Sequence, residues 1–227
     1  MIIFLYGSDS YRSRQKLNAL IEQFKKQRDP QGNNVVKIDG AKTSLDEINS
    51  KIASGSLLAE KRLLIVEELF SHKEENIFKV LWEYLQKFEK DKKENSLIFY
   101  EPRKLEGKKY GEKKLTTARK QLFDYLTKQP FSEQFNPLNP VQLQTWLKQY
   151  LSNQNIALNP LAANLLINNS GADLWTLQNE LAKLTHFVQR EGRAEITVAD
   201  VRELTSGTAE ENIFALTDAL GSKNKAL

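Results

Sequence analysis

The chain has 227 residues, 40% of them hydrophobic, which is enough to build the core of one or two domains. It contains no cysteine, which excludes disulfides, thiol nucleophiles and cysteine-based metal sites and is typical of a reducing cytoplasm. No apolar run approaches the roughly 18 residues that cross a bilayer. Residues 1–6 are apolar but too short, and too poor in preceding basic residues, for a signal peptide. We therefore expect a soluble, cytoplasmic protein without membrane association.

The first part of the sequence alternates short apolar runs with helical patterns. The apolar runs predict strands at residues 2–6, 35–38, 63–66 and 97–100, with a fifth short strand near 131–135. Between them, apolar residues recur at helical spacing, as in Leu17, Leu20, Ile21 and Phe24. Strands separated by helices of this length predict an α/β domain with a parallel five-stranded sheet.

Two prolines end this alternation. Pro137 and Pro140 stand three residues apart and predict a hinge after an α/β domain at residues 1–137. Residues 138–205 then follow a helical pattern throughout, with helix starts expected at Asn159-Pro160, Asp173 and Thr197. After a break at Ser206-Gly207, residues 206–227 show a short amphipathic helical pattern. We expect this helix to begin a further helical domain that the chain mostly lacks.

An α/β domain followed by a small helical domain suggests a nucleotide-binding ATPase. A phosphate loop of the pattern Gly-x-x-x-x-Gly-Lys-Ser/Thr should then follow the first strand. Here the turn begins with Gly7, Ser8 and Asp9, and it contains neither a second glycine nor a Lys-Ser/Thr pair. Glu67-Glu68 resembles a magnesium-binding pair, but charges that end a strand explain it better. We expect no ATP hydrolysis.

No other catalytic constellation is indicated. The two histidines are His72, in a polar turn, and His186, beside core leucines on a helix, where we expect it to be partly buried. The sequence places no third group to orient either imidazole. We therefore predict no catalytic residues, no metal site and no cofactor.

Leu57 and Leu58 stand on the turn that leads into the third strand, and the charged triplet Glu60-Lys61-Arg62 separates them from it. They cannot belong to the buried strand at 63–66, because the charges would then be buried as well. A pair of large apolar side chains at the rim of a sheet is either a lid on the core or a surface offered to a partner. The residues alone leave both possibilities open.

Residues 103–120 form a basic segment, with eight basic residues against two acidic ones, a net charge of +6 in a chain whose total is +4. Its central lysines, Lys108, Lys109, Lys113 and Lys114, could contact a nucleic-acid backbone, and Tyr110 could stack on a base. A solvated loop is the alternative, because basic surface loops are common.

Four stretches together resemble the delta subunit of the bacterial DNA polymerase III clamp loader. They are residues 56–66 (SLLAEKRLLIV), 171–184 (GADLW and NELAKL), 196–201 (ITVADV) and 210–216 (EENIFAL). Together with the degenerate phosphate turn, they occur in the family's order over nearly the whole chain.

The resemblance implies a fold and a set of site residues. It implies an AAA+-type (P-loop-NTPase-like) α/β domain that has lost its nucleotide site, then a small all-α lid domain, then the start of a collar domain at 206–227. The family's hydrophobic wedge, which inserts into a pocket of the sliding clamp, falls on Leu57 and Leu58, with leucine where the family has an aromatic second member. Trp175 stands where ATP-using relatives carry an arginine that senses the γ-phosphate.

The resemblance also implies a function. The chain would bind the beta sliding clamp and hold its interface open for loading on primed DNA, without hydrolysing ATP itself. Its partners would be the gamma/tau and delta-prime clamp-loader subunits, with primed DNA reached through the assembly, and it would be a non-enzymatic subunit of the polymerase holoenzyme. The alternative is a non-catalytic DNA-binding module that uses the basic segment 103–120.

Overall fold

The computed structural model describes residues 1–53, 61–88, 95–105 and 117–205. The chain splits into two compact units, Met1–Asn136 and Pro137–Leu227. Among the described residues, no helix is both long and apolar enough to cross a membrane.

The first unit alternates strands and helices. Its elements are β1 (Ile2–Tyr6), α1 (Ser10–Arg28), β2 (Val35–Asp39), α2 (Leu45–Ala53), β3 (Leu63–Glu67), a 3₁₀ turn (Leu69–Ser71), α3 (Asn76–Phe88), β4 (Ser96–Glu101), α4 (Thr117–Thr127) and β5 (Phe131–Gln134). The five predicted strands are confirmed, with each boundary within one residue of that expected.

The five strands form one parallel sheet in the order β2-β3-β4-β1-β5. Alternate residues of the strands point to opposite faces, and both faces are covered. Phe4 and Phe99 lie in the core on the face packed with α3 and α4, whereas Leu5, Ile65 and Ile98 lie in the core on the α1 face. Burial on both faces explains why the strands read as continuous apolar runs in the sequence.

Side-chain caps fix where the helices of the first unit begin. The carboxylate of Asp9 accepts a hydrogen bond from the Arg12 N–H at the start of α1, and Ser44 Oγ accepts one from the Glu47 N–H at the start of α2. Each cap satisfies a backbone donor that the helix leaves without a partner, which fixes the residue where the helix begins.

The second unit contains four described helices, α5 (Pro140–Ser152), α6 (Pro160–Ser170), α7 (Leu174–Arg190) and α8 (Val198–Leu204). This unit was predicted to be helical throughout, but it also contains two short strands. Two-residue strands β6 (Ala157–Leu158) and β7 (Glu195–Ile196) pair in parallel just before α6 and α8. Strands of two residues are too short to show a period in the sequence, so this pair could not be read from the pattern.

The loop between α7 and α8 is held by an ion pair. Arg193 donates to both carboxylate oxygens of Asp200, at 3.0 and 2.7 Å, and Asp200 also accepts from the Thr197 N–H. The hydrogen bonds from Arg193 lower the pKa of Asp200 to about 2. This arrangement fixes β7 beside the start of α8.

Candidate functional site

The turn after β1 is packed closed by its own backbone. Gly7 has a φ of +124°, and its N–H donates to the Glu101 carbonyl at 3.1 Å. The Asp9 N–H donates to the Phe135 carbonyl at 3.0 Å. A Cβ at position 7 would lie 2.2 Å from the Phe135 oxygen, so only glycine fits this close approach. In a phosphate-binding loop, amides at this position point at the ligand; here two of them are committed to β4 and the end of β5.

Asp9 places a carboxylate at the N-terminus of α1. One oxygen accepts from the Arg12 N–H at 2.9 Å and the other from Arg12 Nε at 2.6 Å. Arg12 also donates to the Asn136 carbonyl. The positive end of the helix dipole, which would favour a phosphate, is thus occupied by an acidic side chain of the protein. The amide of Arg12 at this helix start is therefore already bonded to a side chain of the protein.

Arg14 and Glu67 connect α1 to the end of β3. The two guanidinium nitrogens donate to the two carboxylate oxygens, both at 2.9 Å, and the guanidinium carbon lies 4.3 Å from the centre of the Tyr100 ring. The hydrogen bonds that Arg14 donates to Glu67 raise the pKa of Arg14 above its ordinary value. The sequence left open that Glu67 is a magnesium ligand. In the structure both of its carboxylate oxygens instead accept hydrogen bonds from Arg14.

Glu68 does not join Glu67 in a shared site. It is exposed, has a left-handed backbone with a φ of 56°, and its N–H donates to the Tyr100 carbonyl at 2.9 Å. Within the described ranges, no group of three or more histidine, aspartate or glutamate side chains could hold a metal ion. Glu67 ends a strand in an ion pair, and Glu68 begins the turn that follows.

Glu101 is a buried carboxyl group at the end of β4 that the sequence analysis missed. Its Oε1 accepts from the Phe70 N–H at 2.8 Å, while Oε2 lies 3.5 Å from Arg103 Nε without forming a hydrogen bond. Burial raises the pKa of Glu101 to about 7. The available signal was an acidic residue that directly follows the apolar run 97–100, at the carboxyl edge of the sheet near Gly7.

These features describe an α/β unit in which the turn after β1, the start of α1 and the carboxylate that ends β3 are all bonded within the protein. A family model described as DNA polymerase III, delta subunit, matches residues 4–130, more than half of the chain. The chain belongs to this delta subunit family. A search of curated proteins found no match.

Solved structures share the fold. The chain resembles the DNA clamp loader delta protein of Bacillus subtilis with 22% identity and a TM-score of 0.57, over 96% of this chain and 62% of that one. It also resembles Cdc6p from Pyrobaculum aerophilum (16% identity, TM-score 0.55, 93% and 63% of the two chains). A third match is the RuvB Holliday junction branch migration motor of Thermotoga maritima (10%, 0.52, 89% and 60%). The chain therefore spans somewhat less than two thirds of each of these proteins, and the likeness shows a common fold.

The predicted nucleotide-site residues fall in both units. Gly7, Ser8 and Asp9 lie together after β1, with Ser8 exposed and the other two buried. Trp175 is the second residue of α7 in the second unit, and 43% of its surface is exposed. The role assigned to Trp175 stays a prediction.

Several predicted residues lie outside the described ranges. These are the wedge residues Leu57 and Leu58, the lysines Lys108, Lys109, Lys113 and Lys114, and the expected start of the collar domain at 206–227. Their roles in the delta subunit stay predictions.

At the carboxyl end of the basic segment, two cations pair within the protein. Arg119 donates to the His72 carbonyl at 2.6 Å and forms an ion pair of 3.0 Å with Glu75. Lys120 pairs with Asp124 at 3.3 Å. These cations stabilise α4 and its contact with α3. DNA binding by the basic segment stays a prediction.

The two histidines lie in different environments. His72 is buried: Nε2 bonds the Thr43 carbonyl at 2.8 Å, and Nδ1 accepts from the Glu74 N–H at 3.1 Å. Both ring nitrogens thus bond to the backbone, which makes this a structural histidine. His186 was expected to be partly buried but is exposed. It lies about 200° around α7 from the buried Leu184, away from the apolar stripe.

Proposed function

We propose that this chain is the clamp-binding part of a clamp-loader delta subunit that does not hydrolyse ATP. The observation that carries the proposal is the Asp9 carboxylate on the N-terminus of α1, where an ATPase would hold phosphates. Family membership supports the assignment to the clamp loader. The chain would therefore act through binding, with the energy of ATP supplied by other subunits.

Three features oppose nucleotide binding at this site. The amides of Gly7 and Asp9 donate hydrogen bonds to backbone carbonyls, so they do not point at a ligand. Ser13 stands where a phosphate loop carries its lysine, and its hydroxyl donates to the Asp9 carbonyl at 2.8 Å. Glu67 is held by Arg14. A nucleotide would have to displace all three arrangements.

Clamp binding is assigned to Leu57 and Leu58. They precede β3, whose residues Leu63 and Ile65 are buried in the sheet, so the segment is attached to a rigid strand. Burying two leucines contributes on the order of 3–6 kcal/mol. Association costs several kcal/mol, so neighbouring contacts must add to this.

Holding a clamp open requires preference for one state of the clamp. A ligand that binds the open and the closed interface equally well does not shift the equilibrium between them. We infer that the leucine pair binds the opened clamp interface. The gamma/tau and delta-prime subunits would supply the ATP-driven steps, and primed DNA would be reached through the assembly.

The test is a pull-down with the cognate sliding clamp. The variants Leu57→Ser and Leu58→Ser should lose clamp binding and melt at the wild-type temperature. Leu161→Ser is the matched control, because Leu161 lies on α6 with 68% of its surface exposed. It should bind the clamp as the wild type does. Variants at 57 and 58 that fail to fold would instead indicate a lid on the core, and variants that fold and still bind would contradict the assigned role.

A further inference from the structure

Glu101 and Arg103 face each other at the carboxyl end of β4 without a hydrogen bond. Arg103 Nε lies 3.5 Å from Glu101 Oε2, and within the described ranges both atoms are buried and have no hydrogen-bond partner. Buried polar atoms are nearly always bonded, and a charge-assisted hydrogen bond between such groups is about 2.8 Å long. A small movement of the Arg103 side chain would therefore close this contact.

A proton on Glu101 decides whether the contact closes. Oε1 already accepts a hydrogen bond from the Phe70 N–H, so Oε2 is the oxygen that carries the proton. An ionised Oε2 accepts from Arg103 Nε, whereas a protonated one offers its own hydrogen and cannot pair the guanidinium.

The surroundings of Glu101 make both forms accessible near neutral pH. Burial raises the pKa of Glu101 to about 7. Among the charged groups that face it, Glu68, at the turn after β3, raises this pKa and Arg103 lowers it. The charge of Glu101 therefore changes in the range in which the protein works.

The outer side of Arg103 is accessible to a ligand. Its side chain is 42% exposed although Nε is buried, so the exposed surface lies on the remainder of the side chain, which includes the two terminal guanidinium nitrogens. Guanidinium groups bind phosphate oxygens through pairs of N–H donors. Arg103 also begins the basic segment 103–120, whose net charge of +6 attracts polyanions. A DNA phosphate fits this combination.

Arg119 and Lys120, near the other end of the basic segment, are paired differently. Their partners Glu75 and Asp124 are nearly half exposed, whereas Glu101 is 1% exposed. Burial penalises the charged form of a carboxyl group. Of these three pairs, that of Arg103 is thus the one in which burial opposes the charge of the partner.

We propose that Arg103 binds a DNA phosphate and that the buried carboxyl group of Glu101 controls this contact by taking up or releasing a proton. When Glu101 is ionised, it compensates the charge of Arg103 within the protein. When Glu101 is protonated, the guanidinium charge is available to the phosphate. Binding of DNA and binding of the proton therefore favour each other, because the two equilibria are linked. The inference is independent of the leucine pair and goes beyond the proposed clamp binding.

Fluorescence anisotropy of a short labelled DNA duplex, added to the full chain at low salt, tests the proton dependence. The dissociation constant of the wild type, divided by that of Glu101→Gln, should rise at least about threefold between about pH 6 and about pH 8, because the ionised carboxylate then opposes the phosphate. Dividing by the value for Glu101→Gln removes the effect of other titrating groups. A ratio that stays constant with pH would overturn the inference.

Replacement of the arginine tests the phosphate contact. At about pH 6, Arg103→Leu should weaken binding of the duplex by about threefold or more. Arg28→Leu is the matched control, since it makes the same change at an exposed residue in the last turn of α1. It should bind within about twofold of the wild type. Equal losses in the two variants would mean that only the net charge of the chain matters, which would overturn the inference.

Carboxyl ¹³C NMR of Glu101 tests the link in the wild type itself. The titration midpoint of Glu101 should rise when the duplex is added, and the same addition should leave the midpoint of Arg103→Leu unchanged. A midpoint that the duplex does not move, or a wild-type chain that does not bind the duplex, would overturn the inference. Neither result bears on clamp binding, which the Leu57→Ser and Leu58→Ser variants test separately.

Discussion

Arg14 and Glu67 form a bidentate ion pair, in which the Nη1–Oε1 and Nη2–Oε2 distances are both 2.9 Å. The pair joins α1 to the carboxyl end of β3 across Tyr100 of β4, whose ring lies under the guanidinium. In an ATPase this edge of the sheet holds phosphates and magnesium; here a fixed internal cation binds the carboxylate that ends β3. The pair therefore keeps the carboxylate that ends β3 bonded within the protein.

The first prediction concerns the coupling between these two side chains. In a double-mutant cycle with Arg14→Met and Glu67→Gln, we expect a coupling of about 1–2 kcal/mol, because the pair is bidentate but about a third and a fifth of the two side chains are exposed. Urea unfolding of the four proteins measures it. Strictly additive effects would show that the ion pair contributes nothing beyond its separate side chains.

The second prediction concerns the close approach at Gly7. Gly7→Ala should cost at least about 3 kcal/mol of unfolding free energy or prevent folding, because its Cβ would meet the Phe135 backbone. Gly32→Ala is the control in the same unit: its φ of +76° is also positive, but the nearest atom lies at 3.7 Å, at the end of a lysine side chain. We expect it to cost about 1–2 kcal/mol. Equal costs would mean that the turn after β1 can open.

The third prediction concerns the pH dependence set by Glu101. Its pKa is about 7 in the folded protein and 4.5 when exposed, so folding favours the protonated form. The resulting stability is fully present below about pH 4.5 and is lost as the pH rises through 7. This loss amounts to about 3 kcal/mol.

Glu101→Gln removes this titration. The unfolding free energy of the variant, relative to that of the wild type, should rise by about 2–3 kcal/mol between pH 5 and pH 8. Urea unfolding at the two pH values measures the difference. A relative stability that stays constant with pH would contradict the assignment.

The fourth prediction concerns Asp9. Asp9→Ala should cost about 1–2 kcal/mol by removing the cap of α1, and Asp9→Asn should cost less because the amide oxygen still caps. Neither variant should gain stability with MgATP, since the backbone amides at positions 7 and 9 still donate hydrogen bonds to backbone carbonyls. Melting with and without MgATP measures this. A higher melting temperature with MgATP in either variant would show that Asp9 alone closes the site.

The sequence predicts the strands and the helix caps well because each depends on residues that are neighbours along the chain. Residues 63–66 and 97–100 are buried on both faces, so each reads as an unbroken apolar run between charges. Asp173 and Thr197 precede apolar helical patterns and cap α7 and α8 as expected. In contrast, β6 and β7 are too short to leave a pattern.

The site is predicted less completely because its contacts depend on strand order. The absence of a phosphate-loop pattern is visible in the sequence, but the residues that close the loop are not. Arg14 meets Glu67 only because β4 separates β1 from β3, and Glu101 is buried only because the 3₁₀ turn covers it. Neither contact has a signature in residue spacing.

Titration of the purified chain against immobilised cognate clamp in nucleotide-free buffer tests whether the chain binds the clamp through its leucine pair and without ATP. We expect binding without ATP and no change in affinity when MgATP is added. The Leu57→Ser, Leu58→Ser double variant should lose binding at an unchanged melting temperature. Binding that requires ATP, or that persists in the folded double variant, would contradict this assignment.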